Sequence, residues 1–175
     1  MAKVSTSRRA TSGIVFIIAG ALVVLAAILP LLSVSVSWLG AIAYLALAVA
    51  FGVLGLGAVN NTVAKICLIA AAVGWAILGL AGLGLALPAV LITIAAILAG
   101  VGGLVGAIVL YVGKEITNMA AVAFIVATAL GLIVLLAGPL GVFPLGAQIG
   151  LVLVILFGAA LIVTGVLFRR PEGRR

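Results

Sequence analysis

Charge is missing from three long stretches of this chain, residues 10–64, 66–113 and 116–168. No soluble fold can use such stretches, because too few side chains remain to face water. Soluble domains carry about a quarter charged residues, whereas this chain carries 6% and is 68% hydrophobic. The solvent that accepts such a sequence is a lipid bilayer, in which the backbone has to satisfy its own hydrogen bonds as helix or closed barrel.

Polar punctuation divides the chain into six apolar spans, at about residues 13–32, 38–59, 62–80, 88–112, 116–137 and 145–168. Each is close to the ~20 residues that cross ~30 Å of hydrocarbon as a helix. Pro30 and the alternation Ser33, Ser35, Ser37 end the first span, and Asn60-Asn61 is a turn signal. Gly113-Lys114-Glu115 is a polar turn, and Gly138-Pro139 with Phe143-Pro144 marks a longer loop. Pro88 opens the fourth span at a position where proline is favoured in a helix. The expected fold is an all-α bundle of six transmembrane helices, flanked by basic tails over residues 1–12 and 169–175. The uncharged segment Ala81–Leu87 is the weakest boundary, and five spans or a re-entrant segment there is the alternative. Arg8-Arg9 before an apolar run resembles a signal peptide, but the run is longer than the ~7–15 residues of a signal core. A retained first span is expected.

The nine Lys and Arg residues orient this arrangement. Lys3, Arg8 and Arg9 precede the first span, Lys65 and Lys114 follow the second and fourth, and Arg169, Arg170, Arg174 and Arg175 follow the sixth. The connections after the first, third and fifth spans carry no charge. Basic residues mark cytoplasmic loops, so both termini are expected in the cytoplasm. Arg8, Arg9, Lys65, Lys114, Arg169 and Arg170 are expected at anionic lipid headgroups. The net charge of +7 forms no long basic run and no aromatic-interleaved patch, which argues against nucleic acid.

Cytoplasmic turns at Asn60-Asn61, Lys114-Glu115 and Arg169-Arg170 recur at similar intervals, with Pro30, Pro88 and Pro144 near the opposite face. This reads as three tandem helical hairpins, since repetition at a fixed period marks a repeated structural unit. With Gly13, Gly20 and Pro30 in the first hairpin, Gly74, Pro88, Gly102 and Gly106 in the second, and Gly131, Pro144, Gly158 and Gly165 in the third, the chain resembles the HdeD-like family of small bacterial membrane proteins. The resemblance implies a six-span membrane protein with both ends inside, and a link to acid resistance in the best-known members. It supplies no catalytic motif. The outer loops here are less polar than that family leads one to expect.

Small residues at helical spacing are the most informative feature inside the spans. The fourth carries Ala95, Ala99 and Gly103 on one row and Gly102 and Gly106 on the next, and the fifth carries Ala123, Ala127 and Gly131. Ala70 with Gly74 and Ala48 with Gly52 repeat the pattern. Such rows let backbones approach closely in lipid, within the chain or against a partner subunit or second copy; an internal seam is favoured. No charge lies mid-span, which disfavours ion-coupled pumping, voltage sensing and side-chain proton relays. Thr93, Thr128 and Thr164 are the notable polar side chains within spans, and back-bonding to the preceding turn is their expected role.

The chain has no histidine, one cysteine (Cys67) and two acids (Glu115 and Glu172). This excludes an intramolecular disulfide, a Cys/His metal cluster and paired-carboxylate or histidine-activated catalysis. No catalytic, metal or cofactor residue is assigned, and Cys67 is expected to be a small buried apolar group. Trp38 and Tyr111 suit membrane-interface anchors better than a ligand box with Tyr44 and Trp75; Trp75 is left without a role, and a buried indole there needs an acceptor. The expected function is non-catalytic, as an accessory or structural subunit of a membrane complex or in a membrane stress response. The alternative is a small transporter, channel or substrate-binding module for a neutral or apolar solute. Its mark would be a midplane cavity with polar groups near Thr128 and Trp75. Dominant Ala, Gly, Val and Leu, with Arg over Lys, suggest a GC-rich bacterial source and hence a bacterial cytoplasmic membrane.

Overall fold

A computed structural model describes residues 6–33, 37–138 and 146–169. Six α-helices occupy almost all of them: α1 Thr6–Ile28, α2 Ser37–Gly57, α3 Thr62–Gly82, α4 Ala89–Val112, α5 Asn118–Ala137 and α6 Ala147–Arg169. A short 3-10 turn, Leu29–Leu32, continues α1 with Pro30 in its first turn. There is no strand among the described residues. All six helices are long and apolar enough to cross a membrane.

The helices form a closed ring. Each packs on its chain neighbours, and α1 closes on α6. Cross-contacts show that neighbours run antiparallel: Ser12 pairs with Ala50, Gly74 with Ala95 and Ala99, and Gly20 with Gly158. One end of the ring therefore gathers Arg8, Arg9, Lys65, Lys114 and Arg169. The other end holds the uncharged connections after α1, α3 and α5.

The α1–α6 seam is built from glycine on both sides. A Cβ built on Gly20 would lie 2.6 Å from the Gly158 carbonyl oxygen, and one on Gly158 would lie 2.8 Å from the Gly20 carbonyl oxygen. Gly13 and Gly165 stand in the same reciprocal relation one heptad away. Close backbone approach of this kind substitutes for hydrophobic driving force between helices in lipid.

Interior and exterior are sorted by side-chain shape. The outward residues of α4 are mostly branched aliphatics, among them Val90, Ile94, Ile97, Val101, Val105 and Ile108, while its buried face is Ala95, Ala96, Ala99, Gly100, Gly103, Gly106, Ala107 and Leu110. In a bilayer, whose tails are as apolar as leucine, the bulky residues would lose nothing by facing outward, and the small ones let helices meet.

Several boundaries differ from the expected ones. The basic tail expected over residues 1–12 is helical from Thr6, because these first two turns or so are held to the bundle: the buried Ser12 hydroxyl donates to the Ala50 carbonyl at 3.0 Å. No re-entrant segment forms near Ala81–Pro88. Instead α3 runs on to Gly82 and ends in a left-handed turn at Gly84 (φ +94°), with Leu85 N–H donating to Leu80 O at 3.2 Å and Gly84 N–H to Ala81 O at 3.0 Å. Pro88 caps α4 from just outside the helix instead of occupying its first position, and α5 starts at Asn118, two residues after the expected start. The Pro139–Pro144 loop, Ser35, Arg170 and the tail beyond it lie outside the described residues.

Candidate functional site

The interior of the ring is filled with aromatic rings in two tiers. Near the basic end, Phe16 of α1 meets Phe51 of α2, Phe124 of α5 and Phe168 of α6, with ring centroids 5.3, 5.6 and 5.9 Å apart, all edge-on. Phe124 also meets Phe51 at 5.6 Å and Phe168 at 5.5 Å. All four rings are buried. They close the ring where α1, α2, α5 and α6 converge, and edge-to-face pairs of this kind contribute about 0.5–1.5 kcal/mol each beyond their burial.

Arg9 covers this tier from below. It is only 6% exposed, and its guanidinium carbon lies 5.6 Å from the Phe168 ring centroid, within cation–π range. The outward, headgroup-facing position expected for Arg9 is thus corrected: the extra helical turn of α1 directs it inward over the aromatic cluster. Arg8 is exposed and lies against Gly57 at the C-terminal end of α2, where the helix dipole favours a cation. Lys114 and Arg169 are exposed and Lys65 is half-buried.

The second tier lies about 20 Å along α3 from its first residue. Trp75 stacks on Phe157 of α6 at 6.1 Å with an interplanar angle of 16°, and Tyr44 of α2 tilts against it at 5.2 Å. Trp75 is 2% exposed, and its indole N–H has no acceptor among the described residues. Beyond Tyr44, at the uncharged end, a cavity of about 230 Å³ opens between α1, α2 and α6. Its walls are Val23, Ala26 and Ala27 of α1, Gly40, Ala43 and Tyr44 of α2, and Leu151 and Val154 of α6. Tyr44 is the lining residue whose side chain can hydrogen-bond. Of the two residues expected to mark a solute path, Thr128 is not in the lining of this cavity, whereas Trp75 stands directly behind its Tyr44 wall.

The threonines return their hydroxyls to their own helices. Thr128 donates to Phe124 O at 2.9 Å and Ile125 O at 3.1 Å, Thr164 to Ala160 O at 2.8 Å, and Thr93 to Ala89 O at 3.0 Å. Among the described residues a polar network forms at the basic end. The Glu115 carboxylate accepts from the backbone N–H of Asn60 at 2.9 Å and of Asn61 at 2.7 Å, tying the α4–α5 turn to the α2–α3 turn. The Asn61 side chain in turn accepts from the Val63 and Ala64 N–H groups at 2.9 and 3.3 Å and caps α3.

The small-residue rows lie at seams of this chain. A Cβ on Gly102 would meet the Cys67 carbonyl oxygen at 2.9 Å, one on Gly106 the Leu68 side chain at 2.9 Å, and one on Gly103 Phe51 and Thr128 at 3.4 Å. Ala95 and Ala99 back Gly74, and a Cβ on Gly131 would stand 2.9 Å from the Phe157 ring. Ala127 is buried and Ala123 half-buried on α5. Gly100, facing Leu132 at the α4–α5 seam, belongs with these but escapes a search for four-residue rows that runs through Gly102 and Gly103. Cys67 is half-buried, not fully buried as expected. Trp38 and Tyr111 are exposed near opposite ends of the ring, as anchors would be. Among the described residues no three His, Cys, Asp or Glu side chains gather as a metal site. Sequence reasoning also missed the linkage of Glu115, the inward turn of Arg9 and the cavity at Tyr44. The signal it had was the Asn-Asn and Lys-Glu turns falling on one end. No protein-family model, curated protein or solved structure matches this chain.

Proposed function

We propose that this chain is a non-catalytic, multi-pass protein of a bacterial cytoplasmic membrane that serves as an accessory or structural subunit of a membrane complex, or in a membrane stress response. The observation that carries this reading is the filled interior: the Phe16–Phe51–Phe124–Phe168 cluster with Arg9 over Phe168 occupies the basic half of the ring axis. Thr128 and Thr164 bond to their own helices, so neither lends a free hydroxyl to a solute path there. In this reading the basic end faces the cytoplasm, as the distribution of Lys and Arg favours. Arg8, Lys65, Lys114 and Arg169 then sit at anionic headgroups, each contributing about 1 kcal/mol of attraction. The six-helix plan fits the architecture that the HdeD-like resemblance implies, and membership of that family is part of the proposal.

Because the small-residue rows are occupied by internal seams, a partner subunit or a second copy would meet the branched aliphatic faces instead, such as Val101, Val105 and Ile108 of α4. Purification in mild detergent followed by native mass spectrometry tests this. A second membrane chain, or a defined oligomer, co-purifying in fixed ratio is the expected result. A monomer carrying only lipid would overturn the accessory-subunit reading.

A further inference from the structure

We infer that the cavity between α1, α2 and α6 is a blind-ended binding site for a small, uncharged, predominantly hydrocarbon molecule bearing one hydrogen-bonding atom. This goes beyond the structural role proposed above and does not depend on it. The lining side chains come from the last turns of α1 and the first turns of α2 and α6, so the cavity belongs to the uncharged end of the ring. Seven of its walls are aliphatic or glycine, and the eighth, Tyr44, adds a single hydroxyl. A charged or highly polar guest would lose its hydration there without replacement.

The floor is closed. Tyr44 leans on Trp75, Trp75 stacks on Phe157, and the phenylalanine cluster lies beyond them toward the basic end. A molecule entering from the uncharged end therefore binds and leaves by the same route, and the site holds its guest without conducting it. Volume sets the size of that guest. An apolar cavity of about 150 Å³ stays dry and accepts benzene, so about 230 Å³ holds a molecule of roughly ten non-hydrogen atoms, or the end of an acyl chain. Gly40 leaves the wall open, since a Cβ there would meet nothing within 4 Å. Trp75 lies behind the Tyr44 floor, one ring contact away, close enough to report on a guest.

The test uses Trp75 as the reporter. Trp38→Phe leaves Trp75 as the one tryptophan in the full chain. In detergent, 6-bromohexan-1-ol quenches Trp75 fluorescence saturably if the site exists. Gly40→Leu, which fills open space, abolishes the saturable component, and Tyr44→Phe, which keeps the ring and its packing, weakens apparent affinity by up to about tenfold. Reconstitution in bilayers with acyl chains brominated at mid-chain separates the two sources of the hydrocarbon. Quenching that Gly40→Leu relieves identifies a resident lipid chain; quenching seen only with the free alcohol identifies a soluble guest. Linear quenching that is identical in the Gly40→Leu and Tyr44→Phe proteins, both folded by circular dichroism, would overturn the inference.

Discussion

Gly20 and Gly158 each hold their carbonyl oxygen where the other's Cβ would stand, 2.6 and 2.8 Å away. Neither clash can be relieved by rotating a side chain, because the obstructing atom is backbone on both sides. Gly20→Ala is expected to cost about 1–3 kcal/mol, the usual range for overpacking, by prising α1 from α6 and opening the ring. Gly40→Ala is the contrast. With open space around it, that change removes only glycine's entropic cost and is expected to stabilise α2 by up to about 1 kcal/mol. Equilibrium unfolding in mixed micelles measures both, and equal effects would contradict the close approach.

The second prediction separates two glycines of α4 that look equivalent in sequence. A Cβ on Gly102 would stand 2.9 Å from the Cys67 carbonyl oxygen, whereas one on Gly106 would stand 2.9 Å from the far end of the Leu68 side chain. A leucine methyl can swing aside and a helix carbonyl cannot. Gly102→Ala is therefore expected to destabilise more than Gly106→Ala, and the double replacement by isoleucine should disrupt the α3–α4 seam. Unchanged thermal stability of the double variant in detergent would remove α4's rows from the packing argument.

The helix count was legible because turns in this chain carry amides, charges, glycine or proline, and spans do not. Which faces meet was much less legible. A helix that is apolar all round offers no amphipathic contrast to point at a core; α4 illustrates this, with Val101 outward and Gly100 and Gly103 inward on one uncharged stretch. Shape was the usable signal, and it located Gly102, Gly103, Gly106 and Gly131 at seams. The Phe16–Phe51–Phe124–Phe168 cluster was hidden because it joins residues of four helices that only ring closure brings together. Arg9 was misplaced because charge pattern gives a residue's end of the bundle, not the direction of its side chain.

Glu115 offers a third prediction, at the basic end. Its carboxylate accepts the Asn60 and Asn61 N–H groups and joins two turns that are distant in sequence. Hydrogen bonds to an ionised acceptor contribute about 1.5–3 kcal/mol in favourable cases. Glu115→Ala is expected to lose most of this, and Glu115→Gln, which keeps one amide oxygen, rather less. Amide hydrogen exchange at Asn60 and Asn61 should accelerate in that same order, while exchange at the uncharged end stays unchanged.

Lys114 gives a prediction of the opposite sign. It sits in left-handed backbone at φ 52°, closing α4 with its N–H donating to Tyr111 O at 3.1 Å and the following Glu115 N–H donating to Leu110 O at 3.2 Å. A side chain in this conformation costs about 1–2 kcal/mol relative to glycine. The adjacent Gly113 lies at φ −72° and does not need its freedom. Lys114→Gly is therefore expected to raise stability in detergent by up to about 1 kcal/mol, after allowing for glycine's greater entropy in the unfolded chain. The same change removes a basic residue from the turn that the positive-inside bias uses. Labelling of an introduced cysteine at Thr117, in a Cys67→Ser background and with a membrane-impermeant maleimide, separates the two effects. A more stable protein with unchanged labelling means backbone strain dominates at Lys114. Lower stability would show that the left-handed turn is not strained.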